Sequence, residues 1–431
     1  MNSGGSKLVN KSMHGRHHRK RARALTRRTP ATCLAIAALS ASCDRLPTPV
    51  VYLGGGEFEP SPSGRAVALV DWRFYHAILG APATSSPVLD GVVHELRARF
   101  PTRPDAVVFV LDFENYLITL SRLMHERGFK WMEDLENLSE AELSRYGEAL
   151  EEVFTIADAL PFPPGAAFNR RYRQLETGTG SVPERLCPAC PSDLRGYVFV
   201  PRREELAAGR FMHEFAHFWA ARLHGPPVLE TQVGDYAGHW GFTSVHGLLG
   251  GWDPETFEEV GGGGVYRADV APAGRQQNVR PYAPLELYLM GLAPPEEVSP
   301  IRVAVNVTRR ERLDGGRDQF AAERIDTVTI EDIIAANGPR VPAYPDAPTT
   351  FELMLVVLTD HSLSDDEWDF YERSIDFLEA GAEVELRDVF PTESYPGHHE
   401  IWEDFAEFVG SRYVNFNAST TGRGWLRFRS E

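Results

Sequence analysis

The run His213-Glu214-Phe215-Ala216-His217 sets two histidines four residues apart with a glutamate after the first. On a helix, positions i and i+4 share one face a turn apart, so both imidazoles reach a single Zn²⁺ and the intervening carboxylate is aimed at water on that ion. The chemistry expected is zinc-assisted hydrolysis. Such a metal brings the pKa of its water to about 7, and Glu214 takes the proton as the water attacks a carbonyl, then passes it to the leaving amine. The competing reading is an amphipathic core helix with surface histidines, an HExxH arising by chance in a chain with 14 histidines. Context favours the metal. Arg203 to His224 holds no proline, carries Glu204 and Glu205 in its first turn, and stops at Gly225-Pro226-Pro227, so a helix is expected across it. A β-rich run, Gly196-Tyr197-Val198-Phe199-Val200, precedes it, giving a strand-then-helix order.

The third ligand is less legible. A glycine at 220 and a histidine at 223 would extend the motif along the helix, but Ala220 and Leu223 stand there. His224 lies seven residues beyond His217, a rise of about 10 Å that takes it away from the same ion. The remaining candidates are Glu230, Asp235, His239, His246 and Glu286. Glu286 is preferred over His239. It follows Pro284 at an expected helix start and is flanked by Leu285, Leu287 and Leu289, and an acid turned inward among leucines needs a compensating partner that zinc would supply. His239 or Tyr288 is then left to donate to the developing oxyanion, with Tyr288 equally readable as a packed helix aromatic. Trp240 and Phe242 read as one face of a half-buried strand, core rather than substrate platform.

Further motifs carry a resemblance. Gly238-His239-Trp240-Gly241-Phe242, then Tyr282-Ala283-Pro284-Leu285-Glu286-Leu287-Tyr288-Leu289-Met290-Gly291-Leu292, then Pro294-Pro295-Glu296-Glu297-Val298 are similar to those of a family of largely uncharacterised, secreted bacterial zinc metallopeptidases. Members carry HExxH, a His-Trp-x-Phe hairpin and an SPLDLYLMGL helix. The likeness continues through 327–334, 338–342 and 420–424 and covers roughly residues 100–431. Gly241 stands where the family has serine, as does Ala283, and neither departure removes a candidate ligand. The resemblance implies a zincin-like α+β fold, with a mixed sheet packed on the HExxH helix and a helical/αβ C-terminal part, and a protein or peptide substrate.

Charge is unevenly distributed over the 431 residues. The first 42 carry nine Lys/Arg and no acid, which leaves 35 of the 44 bases against all 61 acids. A body so acidic repels nucleic acid and anionic membrane, and neither is expected as a partner. The basic start leads instead into Ala31-Thr32-Cys33-Leu34-Ala35-Ile36-Ala37-Ala38-Leu39 and small residues before Cys43, the layout of a signal peptide. Cleavage before a cysteine is the lipoprotein pattern, so the chain is expected to be exported: an envelope lipoprotein of the periplasm or outer membrane, anchored only through Cys43, or a plainly extracellular protein. Cys187-Pro188-Ala189-Cys190 lacks a second CxxC to complete a structural zinc site, and in an exported chain reads as a local disulfide. The rival function is a non-catalytic envelope-binding lipoprotein with a structural or vestigial zinc site; an intact Glu214 argues for the enzyme.

The expected organisation is a signal peptide over 1–42, a linker over 43–64, an N-terminal α/β part over 65–202, the zinc-site helix, hairpin and third-ligand helix over 203–300, and a C-terminal α/β part over 301–431. Strands are expected at 66–70, 106–111, 303–307 and 351–358, and helices at 88–100, 138–160, 364–380 and 397–413. Between 307 and 351 a long acidic loop is expected, and Gly261 to Gly264 are read as a flexible tip. Metabolic labelling with a fatty acid is expected to mark the wild type and not Cys43→Ala; an unlipidated mature chain starting at another residue would replace anchoring with secretion.

Overall fold

The computed structural model describes residues 56–70, 82–112, 168–171, 193–200, 203–208, 210–220, 223, 239–271, 280–313, 317–359, 361–390 and 414–430. The expected helices at 138–160 and 397–413, Cys43, the Cys187-Cys190 pair, His224, Glu230 and Asp235 lie outside them. Contacts divide the chain into two units, 1–49 and 50–431, and every described residue belongs to the second.

The protein is a mixed α+β structure built on a mixed sheet. Its strands are β1 (Glu57–Pro60), β2 (Ala66–Val70), β3 (Ala106–Asp112), β4 (Phe168–Arg171), β5 (Gly196–Val200), and, late in the chain, Thr350–Thr359 and Trp425–Phe428. The long strand 350–359 is central: β2 and β3 flank it in parallel, 425–428 pairs in parallel with its first half, β5 follows β3 in parallel, and β1 and β4 close the two ends antiparallel. The inner strands β2, β3, β5 and 350–359 read as apolar runs because both their faces are covered. Ala106, Val108 and Val110 enter one core and Val107 and Phe109 the other, the period-two alternation of a pleated strand. On the second face sits α1 (Pro82–Arg99), through Leu89, Val92, Val93 and Leu96.

The first face carries the motif. After β5 the chain enters α2 (Glu204–Ala208) and α3 (Phe211–Ala216), and His217 to Trp219 continue as turns. The single helix expected over 203–224 is therefore two short ones, with Gly209, a poor helix former, between them in sequence. Phe211, Phe215 and Trp219 recur at four-residue spacing, and His213 and His217 are offset from that stripe by two residues, about 200° around a helix axis. Phe215 packs at 5.7 Å from Phe351, 5.0 Å from Trp219 and 5.8 Å from Phe416, measured between ring centroids. This aromatic bed seats the motif on the sheet and turns the histidines the other way. Behind it lies a long amphipathic helix, Asp365–Glu379, capped by Ser364, whose hydroxyl accepts from the Glu367 amide.

Two sequence expectations need correction. The segment 43–64 is not all linker, since it contains β1, which pairs with β2 just beyond it. The stretch after 307 is not a loop: it forms Arg309–Arg312, Asp318–Ala321, Arg324–Val328 and helix Ile330–Asn337. These strands are short and charged, and their apolar residues serve a separate small core in which Trp252, Phe257, Tyr266, Phe242 and Phe320 stack. The glycines 261–264 all hold φ between 70° and 78° and turn the chain between Glu258–Glu259 and Val265–Ala268, which pair antiparallel; only glycine tolerates four such residues in a row. No helix among the described residues is long and apolar enough to cross a membrane.

Phe351→Ala removes a ring held by Phe215, Trp219 and Phe416, and is expected to cost about 3–5 kcal/mol of stability, read from a denaturant unfolding curve against wild type.

Candidate metal centre

Three histidines converge. His213, His217 and His239 have ring centroids 5.0 Å apart in all three pairings, and one nitrogen from each lies within 4.8 Å of the other two. Zinc held tetrahedrally at about 2.0–2.1 Å would separate its ligand nitrogens by about 3.3 Å, so the cluster has the size of a metal site. His213 Nε2 and His239 Nε2 stand 2.9 Å apart. Two lone pairs cannot face each other at that distance with nothing between them; a proton or a cation must be shared.

The tautomer of His213 follows from its other nitrogen. Nδ1 lies 3.1 Å from the Leu248 carbonyl oxygen, and a carbonyl can only accept, so Nδ1 carries the proton. Neutral His213 then presents a bare Nε2, the form that binds metal. The donor set therefore fits a divalent ion of the borderline class that prefers imidazole. Glu214 lies on the same helix between the two motif histidines and is buried.

His239, not Glu286, is the residue that the structure brings to the histidine pair, reversing the order expected from sequence. Glu286 lies in α4 (Pro284–Met290) and is fully buried. Its Oε1 accepts from Trp240 Nε1 at 2.7 Å and the Leu249 amide at 2.8 Å; its Oε2 accepts from the Ala283 amide at 2.8 Å and the Leu248 amide at 3.0 Å. An ionised carboxylate has about four acceptor positions, and here all four are filled. The compensation that the sequence demanded comes from N–H groups rather than from metal. Burial pushes the Glu286 pKa above the ordinary carboxylate value, and the four donors pull against it.

Of the two readings of Tyr288, oxyanion donor or packed helix aromatic, its surroundings match the second. Its hydroxyl accepts from the Arg340 amide at 3.1 Å, and Arg340 itself is buried, its guanidinium donating to the Leu289 carbonyl at 2.8 Å near the end of α4. Tyr288 is thus a packed helix aromatic with a backbone partner; burial raises its pKa. Trp240 and Phe242 are fully buried as expected, but not on one strand face: Gly241, at φ 48°, lies between them, and they enter separate cores. His246 lies outside the cluster, 3.9 Å from Asp253.

Sequence reading missed Tyr282. Its buried hydroxyl donates to the Met212 carbonyl at 2.9 Å, pinning α3 next to His213. Burial, with Glu286 adding to it, holds the Tyr282 pKa well above its usual value, so it remains a donor. The YxPLExYLMGL pattern is the signal that marks both Tyr282 and Glu286.

Neither protein-family models, nor characterised proteins, nor solved structures show a significant match to this chain. The geometry of the cluster alone therefore carries the functional reading.

His239→Ala is expected to weaken zinc binding by more than the about 10–100-fold typical of losing an outer partner, while His246→Ala leaves it unchanged. Competition against a chromophoric chelator measures both.

Proposed function

We propose that this chain is a zinc-dependent hydrolase that cleaves peptide bonds, with a zincin-like catalytic core. The observation that carries the reading is the convergence of His239, from the irregular segment 239–250, with His213 and His217 of the motif, between which lies buried Glu214. Among the described residues three protein donors gather, the number used by catalytic zinc sites, whereas structural sites close with four. The order of β5, α2 and α3 on one face of a mixed sheet supports the zincin-like reading, as does the motif likeness to secreted metallopeptidases.

Zinc bound there supplies Lewis acidity and an acidified water. The chain does the rest. His213 is held in its metal-binding tautomer by the Leu248 carbonyl. Glu214 receives a proton on its carboxylate as the substrate carbonyl is attacked and returns it to the leaving amine nitrogen. His239, facing the motif pair, would hold the metal together with His213 and His217 rather than donate to the oxyanion. A glutamate in this position has no use in a purely structural site, which weighs against the non-catalytic alternative. The acidic body, net −17 over the whole chain, matches a protein or peptide substrate rather than nucleic acid, and export with a lipid on Cys43 completes the proposal.

Glu214→Gln is expected to keep zinc near one per chain and to lower peptide hydrolysis by several orders of magnitude, whereas His213→Ala and His217→Ala lose hydrolysis and bind zinc only weakly, with an affinity still measurable at excess metal. Metal analysis with a peptidase screen, run with and without chelator, measures this. Equal hydrolysis by wild type and Glu214→Gln would sink the enzyme reading in favour of the envelope-binding one.

A further inference from the structure

Glu286 reaches His213 through a single peptide group. The Leu248–Leu249 peptide donates its N–H to Glu286 Oε1 at 2.8 Å, and its carbonyl oxygen accepts from His213 Nδ1 at 3.1 Å. Both ends belong to one planar, resonance-coupled unit. Negative charge at the N–H end therefore enriches the carbonyl oxygen at the other, and the two hydrogen bonds strengthen each other. We propose that Glu286 is a positioning residue of the metal centre, acting through the Leu248–Leu249 peptide to hold His213 as the Nδ1–H tautomer with Nε2 presented to the metal. The role in metal binding rests on reading the three histidines as a metal centre; the tautomer does not.

Three features separate this from ordinary burial of an acid. The carboxylate grips consecutive amides, Leu248 through Oε2 and Leu249 through Oε1, which fixes the direction of the carbonyl between them. Residue 247 must be glycine, because a Cβ there would overlap the Glu286 carboxylate, so the backbone approaches as closely as it can. The indole of Trp240, the residue after His239, donates to the same Oε1. One carboxylate thus orients two of the three histidines from two directions, doing through a peptide what a directly bonded carboxylate does for many metal-binding histidines.

The test uses the full chain with histidine ¹⁵N labels, zinc alone as the probe, and Glu286→Gln, in which an NH₂ must face N–H donors. In the metal-free wild type, long-range ¹H–¹⁵N spectra are expected to show His213 as the Nδ1–H tautomer, and in Glu286→Gln as a mixture. Zinc affinity is expected to fall about 10–100-fold. That loss should vanish on a His213→Ala background and persist on a His217→Ala background, because the coupling runs through His213. A merely structural role would weaken both backgrounds alike. A folded Glu286→Gln with wild-type tautomer, or equal losses on the two backgrounds, overturns the proposal. If Glu286→Gln fails to fold, wild type decides: a Leu249 amide proton downfield of the coil range and slow to exchange, with the proton on His213 Nδ1, supports the relay, and the absence of either overturns it. A wild type that binds no zinc fails the metal-centre reading, and the same spectra still decide whether Glu286 sets the tautomer.

Discussion

A fully buried carboxylate with every acceptor position filled is the constraint around which the centre is assembled. Removing such a charge from water costs on the order of several kcal/mol, recovered only if hydrogen bonds replace the lost solvent. Glu286 recovers it from four N–H groups drawn from three places in the chain: its own helix start at Ala283, the Trp240 indole, and the Leu248–Leu249 backbone. Each donor is thereby fixed relative to the others. The segment 239–250 has almost no regular secondary structure, yet its Trp240 amide donates to Leu249 and Gly247 and Gly250 exchange hydrogen bonds, so it closes on itself around the carboxylate. The loop that brings His239 to the motif pair is thereby given the rigidity of an element.

The motif helix is held from the opposite side. Its aromatic stripe lies against Phe351 and Phe416, and the Met212 carbonyl is bound by Tyr282, two residues before the start of α4. The aromatic bed and the segment leading into α4 therefore hold α3 from two sides, and Tyr282, two residues ahead of the helix that carries Glu286, fixes the residue next to His213. Short helices have little stability of their own; α3 is six residues long and depends on this packing.

What could be read from sequence was set by how each feature encodes itself. HExxH spacing and the apolar strands 66–70, 106–112 and 350–359 announce themselves through period and composition, and the structure places them where the pattern demanded. The buried acid was equally legible as a demand: Glu286 among leucines required a partner. The identity of that partner was not, because three of the four donors are backbone amides, which leave no mark in the residue sequence beyond the glycine at 247. His239 was visible as a candidate but ranked second, since a residue on irregular chain has no periodicity to place it beside the motif pair. The strands after 307 were hidden by their shortness and their arginines, which pair with Asp318 and other acids rather than facing solvent alone.

The two buried acids also complete the electrostatics of the site. On the proposed metal reading, three imidazoles would give a divalent ion nitrogen donors but no opposing charge. Negative charge must then come from around the ligands, and in a medium of low dielectric it acts over more than one bond length. Glu214 lies in the motif itself, and Glu286 lies one peptide beyond His213, linked by a path of hydrogen bonds rather than by water. Had Glu286 been a ligand, its charge would sit on the metal and lower its Lewis acidity directly. Set back behind the peptide, it would offset part of a bound ion's charge without taking up a position on it, which is what the proposed hydrolytic reading asks of it.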